Sequence, residues 1–339
     1  MRQRLTKERV LMSLGFVLSA VLLFYFLQRV DLSQLGATLV SVKLWILSFC
    51  VLTRGTVFSL NALRSKVFLK PLASCRFGEC FIAWVAGDVA NNLFPFRFGE
   101  LVRIDLLARA GGISRGSTVA VVAMGRLLDL ASLLILFAVA APLLAIDLSG
   151  DYRLAGGLGV LLGMFLAAVW LATDPSRFPR VVAVWSRPFS PRVQAWLFDK
   201  AQRFVDGFSA LRSGRAVLAA LGLTLLARLV GMLTIQCWLW AFGLDLPLYA
   251  PLIVTVFLSV GTMIPSSPGF IGTFHVAVAY ALELMGVEPA MAASVAIAGH
   301  FMATVPWTTI GLFVSLPTIR RVWKRGPRPS RAVERVLGA

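Results

Sequence analysis

The sequence predicts an all-α polytopic membrane protein: an inverted repeat of helix, helix, re-entrant hairpin and helix, with about six full spans plus two opposed hairpins. Three observations carry this. The 339 residues are 58% hydrophobic and only 14% charged, with mean hydropathy +0.82, whereas soluble domains carry about 25% charged residues. Several apolar runs reach the roughly 20 residues that a helix needs to cross a bilayer. Two Pro/Gly breaks, Asn91 to Glu100 (NNLFPFRFGE) and Pro265 to His275 (PSSPGFIGTFH), lie in apolar sequence at corresponding places in the two halves. Such paired breaks point to a binding site near mid-membrane.

In chain order the apolar runs are 10–28, 44–62, 78–96, 117–146, 154–173, 216–243, 249–286 and 290–317. Arg2, Arg4, Lys7 and Arg9 precede the first run, which no small-residue cleavage site follows. It reads as a retained first helix with the N-terminus in the cytoplasm. Residues 61–77 hold Arg64, Lys66, Lys70 and Arg76 without an acid. Residues 97–116 hold Arg97, Arg103, Arg109 and Arg115 against Glu100 and Asp105. Residues 174–215 hold eight basic residues against three acids, and the C-terminal tail is basic from Arg320 onward. All four are cytoplasmic by the excess of cations. Asp31, Asp147, Asp151, Asp245 and Glu288 mark the external connections. The predicted location is the inner (plasma) membrane, multi-pass, with both termini cytoplasmic. The net charge of +17 is spread between the apolar runs and over both ends. That suits topology and anionic headgroups and gives no face for nucleic acid.

The charges predict two hairpins. Segment 78–96 has cytoplasmic flanks on both sides, so it enters and returns. Segment 249–286 has external flanks on both sides and turns at the Pro265–His275 break. Loop backbone is not tolerated in lipid, so both hairpins are buried in protein or line a wet cavity. Landmarks recur at nearly one offset along the chain, which pairs Arg54 with Arg228, Pro95 with Pro268, Gly99 with Gly272 and Arg126 with His300. A single transmembrane domain thus covers 1–320, with repeat 1 at 8–146 and repeat 2 at 154–317, and 321–339 form a basic cytoplasmic tail.

Between the halves, Ser190-Pro191 makes an N-cap and first-turn pair. Val193, Trp196, Leu197, Phe204, Phe208 and Leu211 then recur at helical spacing. The segment reads either as an amphipathic helix on the inner membrane surface or as a linker helix packed on the bundle. Cys50 and Cys237 lie in apolar runs, and Cys75 and Cys80 have the wrong spacing for zinc with no His nearby. No disulfide, metal or cofactor is expected. The sequence has no G-x-S-x-G, P-loop or HExxH motif, so no enzymatic activity is expected.

The pattern N-x-x-P-x-R-x-G-E from Asn92, then Arg126 in the helix after Glu100, then P-x-x-P-G-x-x-G from Pro265 together resemble the flippase-like transmembrane domain of lysylphosphatidylglycerol synthases. The resemblance covers roughly residues 8–320 and implies lipid translocation or handling. The short basic tail after the last helix offers no counterpart of the synthase's soluble aminoacyl-transfer domain. The sequence is thus expected to be the translocating part alone. Two positions depart from the family pattern. His275 stands where the second motif usually ends in Glu, and His300 where the next helix usually carries Arg. These are the two histidines of the chain. They are expected to replace an ion pair like the one that Glu100 and Arg126 suggest in the first half, either as a pH-sensitive pair or as neutral hydrogen-bonded rings.

An ionisable group inside a membrane helix costs about 2.5–3.5 kcal/mol on insertion scales, which singles out Arg54, Arg126 and Arg228. Each either holds a lipid phosphate, as guanidinium geometry suits, or pairs with Asp88, Glu100, Asp129 or freed carbonyls. Arg97 and Arg103 beside the first break are expected to snorkel to headgroups or guide one in. Asn91, Asn92, Ser266 and Ser267 either bind a headgroup or cap the hairpins, and Gly269 and Gly272 serve backbone geometry. The function these residues predict is translocation of an anionic phospholipid or polyprenyl-phosphate-linked lipid held between the two hairpins. The alternative is an accessory subunit that docks a lipid-modifying enzyme partner through helix 190–213. A homo-oligomer is left open.

Overall fold

The computed structural model describes residues 44–95, 97–143, 174, 177–207, 214–263 and 267–325, with isolated positions at 159, 162–163 and 166. The predicted first helix at 10–28, most of the run 154–173, Ser266 and the tail beyond Arg325 lie outside the described residues. Among the described residues the chain forms ten α-helices: α1 Leu44–Leu69, α2 Phe77–Leu93, α3 Phe98–Gly111, α4 Arg115–Leu143, α5 Arg177–Trp185, α6 Pro191–Gly207, α7 Gly214–Ala241, α8 Ala250–Met263, α9 Thr273–Glu283 and α10 Pro289–Arg325. Four of them, α1, α4, α7 and α10, are long and apolar enough to cross a membrane. The 17 residues of α2 and 14 of α3 span only about 25 and 21 Å. The 14 of α8 and 11 of α9 are likewise too short for the roughly 30 Å hydrocarbon core. Long helix, two short helices and long helix therefore occur twice in chain order.

Capping chemistry sets these boundaries. Glu79 accepts the Arg76 N–H at 2.9 Å at the start of α2. Ser114 Oγ accepts the Ser117 N–H at 3.0 Å ahead of α4. Glu288 accepts the Ala290 and Met291 N–H groups, each at 3.0 Å, with Pro289 opening α10. The helix predicted at 190–213 does begin at Pro191, and it runs to Gly207.

Two charge-based expectations are corrected. Segment 78–96 does not turn back on itself, because Phe77–Leu93 is one continuous helix. A separate helix, α3, follows it within residues 97–116, where the charges predict a connection. Charges on α3 have partners inside the fold: Asp105 accepts from Arg109 at 2.7 Å and from Arg115 at 2.8 Å. Likewise α1 continues through residues 61–69, carrying Arg64 into a buried position rather than a loop. At the second break, α8 and α9 pack together.

The chain forms two compact units. The first holds residues up to Phe58, Val85–Leu101 and Ala227–Val314; the second holds Ser59–Trp84, Val102–Leu226 and residues from Ser315. In the first unit two indole-on-glycine contacts seat α10. Trp307 lies on Gly55 of α1, where a Cβ would come within 2.7 Å of the ring. Trp238 of α7 lies on Gly299, where the corresponding distance is 2.8 Å. The Trp307 indole also donates to the Val51 carbonyl at 2.8 Å and meets Phe58 edge-on at 5.0 Å. In the second unit α6 packs on α4 and α5 on α6.

Candidate functional site

Both breaks lie in the first unit, and their residues touch. At the first, Gly99 lets α3 start hard against α2: a Cβ there would sit 1.8 Å from the Gly87 carbonyl. The Asn91 side-chain oxygen accepts the Gly99 N–H at 2.8 Å. Asn91 is thus a cap for the returning helix. At the second break Gly269 and Gly272 take φ 66° and 92°, backbone that a side chain disfavours. Ser267 Oγ donates to the Ile271 carbonyl at 2.9 Å, closing that turn. Arg97 joins the two breaks. It donates to the Thr262 carbonyl at the end of α8, and its guanidinium lies 5.6 Å over the Phe270 ring.

A polar string crosses the same unit beside the breaks. Arg54 of α1 donates to Asp88 of α2 at 2.8 Å. Asn92 Nδ2 donates to Thr308 of α10 at 2.8 Å and to the other Asp88 oxygen at 3.4 Å. The Asn92 carbonyl is 3.6 Å from where a Cβ on Gly269 would lie. Arg54 nevertheless keeps 39% of its side chain exposed. Arg228 of α7 donates to Ser259 of α8 at 3.0 Å. Arg54 and Arg228 thus each bond to the short helix that follows their own in chain order.

His275, in the first turn of α9, and His300 of α10 share a hydrogen bond of 2.9 Å between Nε2 and Nδ1. Phe274 stacks on His300 with centroids 4.4 Å apart and planes 22° apart. The Gly269 backbone and the Arg54 charge are further polar neighbours of His300. The departures from the family pattern lead to the expectation that these two histidines replace an ion pair, and the rings share this bond.

The second unit holds a separate cluster. Arg64 is buried and donates to Asp129 at 2.6 Å and to Thr224 at 3.0 Å. Arg126 reaches the other Asp129 oxygen at 3.4 Å, the structural pairing that its i+3 spacing suggested. Arg103 does not snorkel: it is buried, with its guanidinium 3.5 Å over the Trp84 ring. Trp84 in turn donates to Ser65 at 2.8 Å. Arg64 and Trp84 were missed from sequence. The available signal was Pro71, the first strong helix stop after Leu44, which extends α1 past Arg64. Near the end of α3, outside the four spans, burial alone would raise the Asp105 carboxyl. Hydrogen bonds from Arg109 and Arg115 prevail and hold it below the usual carboxylate range. Among the described residues no three His, Cys, Asp or Glu side chains cluster as a metal site would require.

Long apolar helices, interrupted by short broken ones with polar groups at the breaks, define a multi-pass α-helical membrane protein. The model of the family described as lysylphosphatidylglycerol synthase TM region matches residues 12–311. The chain belongs to that family. No curated protein matches it.

Proposed function

We propose that this protein is a lipid translocase of the inner (plasma) membrane, with both termini cytoplasmic. It moves an anionic phospholipid or polyprenyl-phosphate-linked lipid and catalyses no covalent chemistry. In this reading α2–α3 and α8–α9 are re-entrant hairpins entering from opposite faces, α2–α3 from the cytoplasm, as the two halves of an inverted repeat.

The observation that carries the proposal is the contact between the breaks. Arg97 and Phe270 hold equivalent positions, separated by the same offset as Pro95 and Pro268, and pack on each other. Equivalent residues that meet are what a two-fold axis between the halves produces, and sites in such transporters lie on that axis. The partly exposed Arg54, braced by Asp88, supplies a guanidinium suited to bidentate phosphate binding beside the breaks. Asp88 orients Arg54 toward the path, and Asn92 and Thr308 supply neutral partners along it. The membrane family fits a lipid as the moving species.

Purified protein reconstituted into vesicles with a labelled anionic lipid tests this. Label should cross faster than in protein-free vesicles, and Arg54→Ala and Arg228→Ala should slow it. Equal rates with and without protein would end the proposal.

A further inference from the structure

The α5–α6 hairpin exposes a basic and aromatic surface. Residues 177–198 contain four arginines and no carboxylate. Arg180, Arg187 and Arg192 are exposed. Beside them Trp185, Phe189 and Trp196 leave 78%, 55% and 59% of their surface uncovered. This is not a slack loop. Phe189 donates its N–H to the Ser186 carbonyl at 2.9 Å, and Gln194 Nε2 donates to the Phe189 carbonyl at 2.8 Å. Ser186 is buried, with its hydroxyl on the Ala183 carbonyl at 3.1 Å. Because α6 packs on α4, a helix apolar enough to span a membrane, the turn is held at a set attitude to that span.

Two indoles and a phenyl ring on a braced turn, in a segment whose exposed charges from Arg180 to Arg192 are all arginines, match the chemistry of a headgroup layer. Aromatic rings favour the boundary between headgroups and acyl chains. Arginines beside them favour lipid phosphate and anionic leaflets. We infer that the α5–α6 turn is an interfacial anchor: Trp185, Phe189 and Trp196 enter an anionic bilayer surface, and Arg180, Arg187 and Arg192 bind its phosphates. This is independent of whether the protein moves lipid.

The test uses the full chain in vesicles of phosphatidylglycerol and phosphatidylcholine, with bromine on the acyl chains of one lipid or the other. The difference in fluorescence between the parent and Trp185→Phe/Trp196→Phe isolates two of the nine tryptophans. Brominated phosphatidylglycerol should quench that difference signal about two-fold, and aqueous acrylamide should barely touch it. Arg180→Gln/Arg187→Gln/Arg192→Gln should shift the signal toward acrylamide quenching. Indoles that acrylamide quenches and bromolipid does not would overturn the inference and point to a protein partner at this surface. Equal quenching by either brominated lipid, unchanged in the triple variant, would overturn its anionic part. The phenylalanine substitutions are conservative.

Discussion

Arg97 and Phe270 occupy matching places in the two breaks, take the same left-handed backbone at φ 53° and 59°, and stack on each other. For a side-chain-bearing residue that backbone costs about 1–3 kcal/mol and persists only where surrounding structure holds it. Phe270→Leu keeps the bulk and removes the π face, so a stability loss of about 0.5–1 kcal/mol is expected. Arg97→Ala also gives up the bond to the Thr262 carbonyl and should cost more. Thermal unfolding of the singles and the double in detergent checks this, with a coupling energy near zero as the contrary result.

The Arg54–Asp88 pair separates positioning from binding. Hydrogen bonds to charged groups contribute about 1.5–3 kcal/mol, so Asp88→Asn should slow lipid translocation by roughly ten- to a hundred-fold. The exchange Arg54→Asp/Asp88→Arg should restore thermal stability without restoring translocation, since the guanidinium then starts from α2. Recovery of both together would show that the pair is only structural.

The two histidines should behave asymmetrically under substitution. His275→Leu or His300→Leu alone leaves a polar ring nitrogen inside the unit at a cost of about 1–3 kcal/mol. Replacing both with leucine removes the donor and the acceptor together. The double variant should therefore unfold at a higher temperature than either single. A double variant whose loss equals the sum of the two singles would contradict the shared hydrogen bond.

Asp129 serves Arg64 and Arg126 at once. Removing one partner of a buried pair is strongly destabilising, about 3–5 kcal/mol, because the remaining charge loses its compensation. Asp129→Asn should thus lower the yield of folded protein in size-exclusion profiles. Arg126→Gln, which leaves the Arg64 bond in place, should lower it far less.

Asp105 predicts a pH dependence. Its carboxyl is held below the ordinary range, so it binds protons less readily folded than unfolded. The stability that it contributes is present above the unfolded carboxylate pKa and is lost as pH falls through the lower folded value. Acid should therefore destabilise the parent protein, and Asp105→Asn should flatten that limb of a melting-temperature profile against pH. An unchanged acid limb in the variant would remove Asp105 from the account.

Much of this fold could be read in the chain because its signals are local. Long apolar runs gave the spans, Ser190-Pro191 gave the start of α6, and the recurrent Pro and Gly offsets gave both breaks. The His275–His300 contact was legible through the two departures from the family pattern. What misled was charge. Arg64, Arg103, Arg109 and Arg115 were counted as loop cations by a rule about translocation, yet Asp129, Trp84 and Asp105 hold them within folded structure. A cation's partner can lie far along the chain, where spacing does not reveal it. Asn91 was undecided for the same reason, since its acceptor role depends on how tightly Gly99 seats against Gly87.

The seating of α10 has a mechanical consequence. This helix gives an indole to a glycine of α1 and receives one from α7 on its own Gly299. Advancing it by one residue along its screw, about 1.5 Å with a turn of about 100°, would bring Ala298 or His300 under the Trp238 ring and lift Trp307 off Gly55. A rod pinned in both senses keeps its register.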